Sequence, residues 1–148
     1  MRLEQLSYAN ENQPRFTRWI IRSIEGLSGR DRYWRLYQIW SREVVPQGRQ
    51  IFSKMLDLID VRLDLRSEWP PRNLPDSPLV IVANHPFGIG DGIAILAMAE
   101  ALGRPFRVLI NNDLMKIPEM APYALPISFE ETREALAMNM ATRHEAVR

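Results

Sequence analysis

The amino-acid sequence predicts an α/β fold: a partial sheet of mixed or parallel strands with flanking helices, preceded by amphipathic N-terminal helices. Three observations carry this. LVIVA at 79–83 and FRVLI at 106–110 are short apolar runs without polar alternation, as in strands covered on both faces. Between them, Gly92 to Leu102 has helical spacing, and a final helical stretch follows an irregular connection. Strand, helix, strand, loop, helix is an order that makes at least part of a sheet parallel.

The elements follow in chain order. Residues 14–27 place Phe16, Trp19, Ile20, Ile24 and Leu27 at helical spacing, with Arg15, Arg18 and Arg22 on the other side and Pro14 suited to a first turn. After SGRD, residues 31–45 repeat the theme: Tyr33, Trp34, Tyr37, Trp40 and Val44 interleave with Arg32, Arg35 and Arg42. Pro46 and Gly48 break this pattern before a third helix over 49–58. From Ile59 to Leu65, IDVRLDL alternates strictly and predicts a half-buried strand. SEWPPRNLPDSP at 67–78 is a loop, and LVIVA is the buried strand after it. The helix over Gly92–Leu102 turns Ile93, Leu96, Ala97 and Ala101 inward and ends at Gly103. Ser128 and Glu131 fit an S-x-x-E capping box opening a last helix.

Composition narrows the function classes. The 148 residues are 46% hydrophobic, enough for one core, and the net charge of +1 gives no global field. The charge is uneven: residues 1–54 carry ten basic side chains against five acidic ones, and this basic part is also the aromatic part. We therefore divide the chain into a basic, aromatic helical region, 1–54, and an α/β region, 55–148. The lack of cysteine excludes disulfides, thiol nucleophiles and thiolate metal sites. Two histidines far apart in sequence argue against a histidine-rich metal site, so no metal ligands are assigned. No apolar run approaches the roughly 20 residues of a membrane-spanning helix, and MRLEQLSYANENQPR lacks the apolar core of a signal peptide. The expectation is a cytoplasmic protein with peripheral contact at the inner face of the cell membrane.

VIVANHPFGIGDGIAIL, residues 80–96, holds the chemistry. A buried strand that ends in a glycine-rich turn and enters a helix delivers side chains to the carboxyl edge of a sheet, where open α/β folds bind ligands. His85 falls at that edge and Asp91 six positions later, at or near the first helical turn. If the turn brings them together, the carboxylate accepts the Nδ1 proton and leaves Nε2 as a general base. Two plainer readings stay open. Asn84-His85-Pro86 fits a turn chosen for backbone geometry, and GIGDG could be a nucleotide loop, although it lacks the Lys-Ser/Thr of a P-loop and the G-x-G-x-x-G spacing. His144, between Arg143 and Glu145, fits a solvated helix face.

On these residues the chain resembles the glycerolipid acyltransferase superfamily. VANHPFGIGDG is similar to that superfamily's first motif, and the NHP-F-G-x-x-D-G form to its hemolysin-like subgroup of lysophospholipid and ornithine-lipid acyltransferases. Five residues separate His85 from Asp91, against the commoner four, which fits the subgroup better than the phosphatidate-making enzymes. FRVLINNDLMKIPEMAPYALPISF is similar to the second region: a strand, a K-x-P segment and a short strand ending at about Ile127. Arg133 is displaced from the arginine position that often follows, so no arginine role is carried over.

The resemblance implies transfer of a fatty acyl group from acyl-CoA or acyl carrier protein to a lysophospholipid-like or amine-bearing lipid acceptor, without a further cofactor. His85 would be the base and Asp91 its orienting partner. Asn84, Gly88, Gly90, Asn111 and Asn112 are the candidate substrate-binding residues, with turn amides around Gly88 and Gly90 facing the thioester oxyanion. The lipid acceptor, an anionic membrane and acyl carrier protein are the expected partners. Nucleic acid is not, because no RNA-recognition motif or DNA-reading helix pair is present. The superfamily's third and fourth motifs would lie beyond Arg148, so residues 55–148 read as the N-terminal part of such a domain. The alternative expectation is a catalytically inactive remnant or a partner-dependent fragment.

Overall fold

The structure, a computed structural model, describes residues 30–84 and 88–147. The helix expected over 14–27 lies outside the described residues. Four helices and one small sheet make up the rest: α1 (Arg30–Ile39), α2 (Ile51–Leu58), α3 (Ile89–Ala101), β1 (Val108–Asn111), β2 (Ala124–Ile127) and α4 (Arg133–Ala146). The mixed α/β class and a parallel strand pair are as the sequence predicts. β1 and β2 pair in parallel, with Val108 opposite Ala124 and Asn111 opposite Ile127. Their crossover is built from two short 3-10 turns, Asn112–Lys116 and Pro118–Met120.

From residue 30 onward, the basic, aromatic region is largely core. α1 runs into a π-helical turn, Trp40–Val44, that buries Trp40 and Val44. An aromatic chain then crosses the molecule: Trp34 stacks on Tyr37 at 5.4 Å, Tyr37 meets Trp40 at 6.0 Å, and Trp40 meets Phe52 at 6.2 Å. Phe52 ends it with its ring edge against Tyr123 at 5.1 Å and Phe106 at 6.2 Å. Leu56 of α2, Leu96 and Ala97 of α3, and Met120 close the same cluster. Arg32, Arg35 and Arg42 stay exposed, so this part is amphipathic with its rings turned mainly inward.

Several expectations are corrected. IDVRLDL forms no strand, because Ile59 caps α2 and packs on the core, and Asp60 takes a left-handed conformation with φ of 57°. The Asp60 amide donates to the Asp57 carbonyl and the Val61 amide to the Leu56 carbonyl, the paired bonds of a Schellman terminus. Residues 61–65 then run exposed and outside any ladder. LVIVA is likewise not a buried strand: Val80 and Val82 are 88% and 87% exposed, because among the described residues nothing pairs with or covers them. FRVLI becomes a strand only from Val108, and it alternates half-buried with exposed positions, since only one face of the two-stranded sheet is packed.

α3 begins three residues before the expected start and buries Leu96, Ala97 and Ala99, whereas Ala101 is exposed. The Trp69 indole donates to the Met98 carbonyl at 2.9 Å, tying the proline-rich loop to this helix. Gly103, with φ of 66°, follows its C-cap as expected. The last helix is capped by Thr132, whose hydroxyl accepts from the Ala135 amide, and not by Ser128. The Ser128 backbone is held at both ends by the Asn139 side chain, and its hydroxyl accepts from the Glu130 amide. α4 packs on β2, where the buried Thr142 hydroxyl donates to the Pro126 carbonyl at 2.6 Å.

One polar tie joins distant parts of the chain. Tyr37 Oη donates to Glu119 Oε2 at 2.7 Å and Ser41 Oγ donates to Glu119 Oε1, fastening α1 to the β1–β2 crossover. Burial pushes the Glu119 carboxyl up, but the Ser41 and Tyr37 hydroxyls more than offset this and leave it below its ordinary value. Burial, then the hydrogen bond and charge of Glu119, push the Tyr37 phenol up to about 12. A phenol that ionises at 10.0 when unfolded and near 12 when folded leaves stability untouched below 10. Above that, the unfolded state sheds its proton first, so stability falls as pH rises from about 10 to about 12. Denaturant titrations over this range should show the decline, with a shallower slope in Tyr37→Phe.

Candidate functional site

The site begins where the run Leu79–Ala83 meets Asn84, which is exposed. His85, Pro86 and Phe87 lie outside the described residues, so the contact of His85 with Asp91 is not among the structural findings. The chain re-enters at Gly88 with φ of 66° and ψ of −125°, a conformation open to glycine and strained for any other residue. Gly88 is the N-cap of α3, and its carbonyl accepts the first helical bond from the Gly92 amide at 3.1 Å.

Asp91 is half-buried in the first turn of α3. A carboxylate there faces the partial positive charge of the helix start, an interaction that favours acidic residues in a first turn. The same helix start aims backbone N–H groups along the axis, so the turn combines a fixed carboxylate with an environment suited to developing negative charge. Gly88, Gly90 and Asp91 therefore share one turn, as the sequence predicts.

Asn111 ends β1 and Asn112 opens the turn after it; both are exposed. The Asn111 side chain accepts from the Asp113 amide at 2.9 Å and so caps this turn. Ile93 and Ala94 of α3 pack in the same cluster as Val108 and Ile110 of β1, and α3 leads into β1 through the short connection 102–107.

A pocket of the described residues lies elsewhere. A shallow depression of about 1130 Å³ is lined by Arg49, Glu100, Arg104, Phe106, Arg107 and Tyr123, at the opposite end of α3. Glu100 there is structural: its carboxylate accepts the Ile51 amide at 2.7 Å and the Ser53 amide at 3.3 Å, satisfying the start of α2. Burial, and then the Glu100 charge, raise the Tyr123 phenol above its ordinary value. Sequence reasoning missed Glu100, Glu119 and Tyr123, because each acts on a partner far away in the chain.

The glycines give a paired prediction. Among the described residues, a methyl group added at Gly88, Gly90 or Gly92 meets nothing within 4 Å, so the backbone decides its effect. Gly88→Ala should destabilise the chain by about 1–3 kcal/mol. Gly90→Ala and Gly92→Ala, inside the helix, should each stabilise it by about 0.5–1 kcal/mol. Chemical denaturation of the three variants checks the opposite signs.

Comparison of the chain with protein-family models, with curated proteins and with solved structures finds no match. What the fold and this turn define is a mixed α/β protein with a carboxylate held at a glycine-initiated helix start. Among the described residues, no helix is long and apolar enough to cross a membrane.

Proposed function

We propose that the chain transfers a fatty acyl group from a thioester, acyl-CoA or acyl carrier protein, to the hydroxyl or amine of a lysophospholipid-like acceptor. The observation that carries this reading is the glycine-only turn at Gly88, directly after Asn84-His85-Pro86-Phe87, with Asp91 half-buried in the helical turn that follows. It adds to the resemblance of VANHPFGIGDG to an acyltransferase motif.

His85 takes the proton of the acceptor O–H or N–H as that atom attacks the thioester carbonyl. Asp91 orients the ring and stabilises the imidazolium. Amides of the Gly88–Gly90 turn receive the charge of the tetrahedral oxyanion. When the C–S bond breaks, the imidazolium returns its proton to the leaving thiolate. Asn84, Asn111 and Asn112 line the approach. Exposed arginines and the half-exposed Tyr33 ring of the N-terminal region suit contact with an anionic lipid surface, which would bring the acceptor within reach.

The assay is transfer of labelled acyl chains to a lysophospholipid from acyl-CoA and, separately, from acyl carrier protein. His85→Ala should lower the rate about 10²–10⁴-fold, with a loss in Asp91→Asn as well. Gly90→Ala should lower it while leaving the fold at least as stable. Absence of transfer from both donors, or full activity in His85→Ala, would sink the proposal. A second reading, a partner-dependent or inactive remnant, is favoured by the exposed Val80 and Val82 just before the site. Under it, transfer is absent from the chain alone, and the apolar run is covered by another polypeptide.

A further inference from the structure

We infer that residues 61–65 are a self-recognition segment through which two copies of this chain pair as antiparallel strands about Leu63. Arg62 and Asp64 carry opposite signs on one face of VRLDL, and Val61, Leu63 and Leu65 fall on the other. Read antiparallel against itself with Leu63 opposite Leu63, the sequence sets Arg62 opposite Asp64 twice over by two-fold symmetry, and Val61 opposite Leu65 likewise. Every charged residue then faces its opposite sign, and every apolar residue faces another apolar one. A shift of register by two residues, which keeps the same faces, places like charges opposite one another and is disfavoured. The surface is therefore complementary to its own copy in a single alignment, as an isologous contact requires.

The structure leaves this segment available. Val61, Leu63 and Leu65 are 37%, 37% and 46% exposed. Among the described residues, Asp60, Arg62, Asp64 and Arg66 make no ion pair, and the backbone from Arg62 to Leu65 makes no hydrogen bond. The Schellman terminus of α2 then selects the pairing geometry. The Asp60 and Val61 amides are already engaged by Asp57 and Leu56, so a ladder cannot use the Val61 amide. It can use those of Arg62 and Asp64. That makes Arg62–Asp64 the hydrogen-bonded couples and leaves Leu63–Leu63 and Val61–Leu65 as the closer, non-hydrogen-bonded couples, where apolar side chains touch best. The occupant is a second copy of this chain. A ladder of this length buries less than the standard stable interface, so the dimer is weak and dependent on concentration.

Sedimentation of the full chain over a wide concentration range tests this. The mass should rise from 17.2 kDa towards twice that value and go no further. Arg62→Asp alone and Asp64→Arg alone each put like charges at both central couples and should raise the dissociation constant at least about tenfold. An equimolar mixture of the two variants should dimerise again, since each position 62 then meets a position 64 of opposite sign. The same-chain swap, Arg62→Asp with Asp64→Arg, should also dimerise. Circular dichroism checks that the exposed substitutions leave the fold intact; were one to unfold, the wild-type dimer must still weaken with salt. A wild-type chain that stays monomeric, assembles without limit, or pairs independently of salt would overturn the inference, as would a mixture no tighter than its components.

Discussion

Phe52→Ala is expected to destabilise the protein by about 3–5 kcal/mol, a large part of what holds a domain of this size together. Phe52 is 2% exposed and its ring meets Trp40, Phe106 and Tyr123, so three separate parts of the chain converge on it. Removing the ring takes away the burial term and the edge-to-face contacts, and the neighbours cannot collapse into the space without breaking the stack of Phe106 on Tyr123 at 5.1 Å. Urea titration should show a lower midpoint at unchanged slope. A loss under about 1 kcal/mol would mean that this cluster is not the centre of the core.

The second large effect is at Trp40, where two contributions separate. Its ring is 3% exposed between Tyr37 and Phe52, and its indole N–H donates to the Ile51 carbonyl at 2.6 Å, holding the π-helical turn against the start of α2. Trp40→Ala should cost about 3–5 kcal/mol. Trp40→Phe keeps most of the apolar ring and loses the hydrogen bond, so it should cost about 1 kcal/mol. Because Trp40 and Phe52 touch, the double alanine variant should lose less or more than the two single losses added, by about 0.5–3 kcal/mol. Equal losses in Trp40→Ala and Trp40→Phe would assign the whole effect to the hydrogen bond.

Much of this organisation was legible in the sequence where a local pattern has a local cause. The α3 helix could be read from its spacing and the glycine after it, because both are properties of consecutive residues. The Gly88–Asp91 turn was legible for the same reason. LVIVA fails instructively: an apolar run encodes the need for burial, while the partner that would supply it is set elsewhere in space. IDVRLDL reads as a strand from its first residue, yet Ile59 and Asp60 serve the end of α2 and the Val61 amide still bonds back to it, so only Arg62 onward is free of the helix. At the last helix two hydroxyl residues competed for the cap. Thr132 holds it because the Ser128 backbone is engaged by Asn139, a residue eleven positions away. The Tyr37–Glu119 tie spans 82 positions and had no local signature.

The bond between Thr142 and Pro126 has a consequence for how this sheet can grow. Pro126 has no N–H to offer a neighbouring strand, and its carbonyl is taken by a helix side chain. The outer rim of β2 is thereby closed to extension, and the sheet has a direction. Any further strand, from this molecule or another, must add on the side of β1, next to the carboxyl end where Asn111 and Asn112 stand.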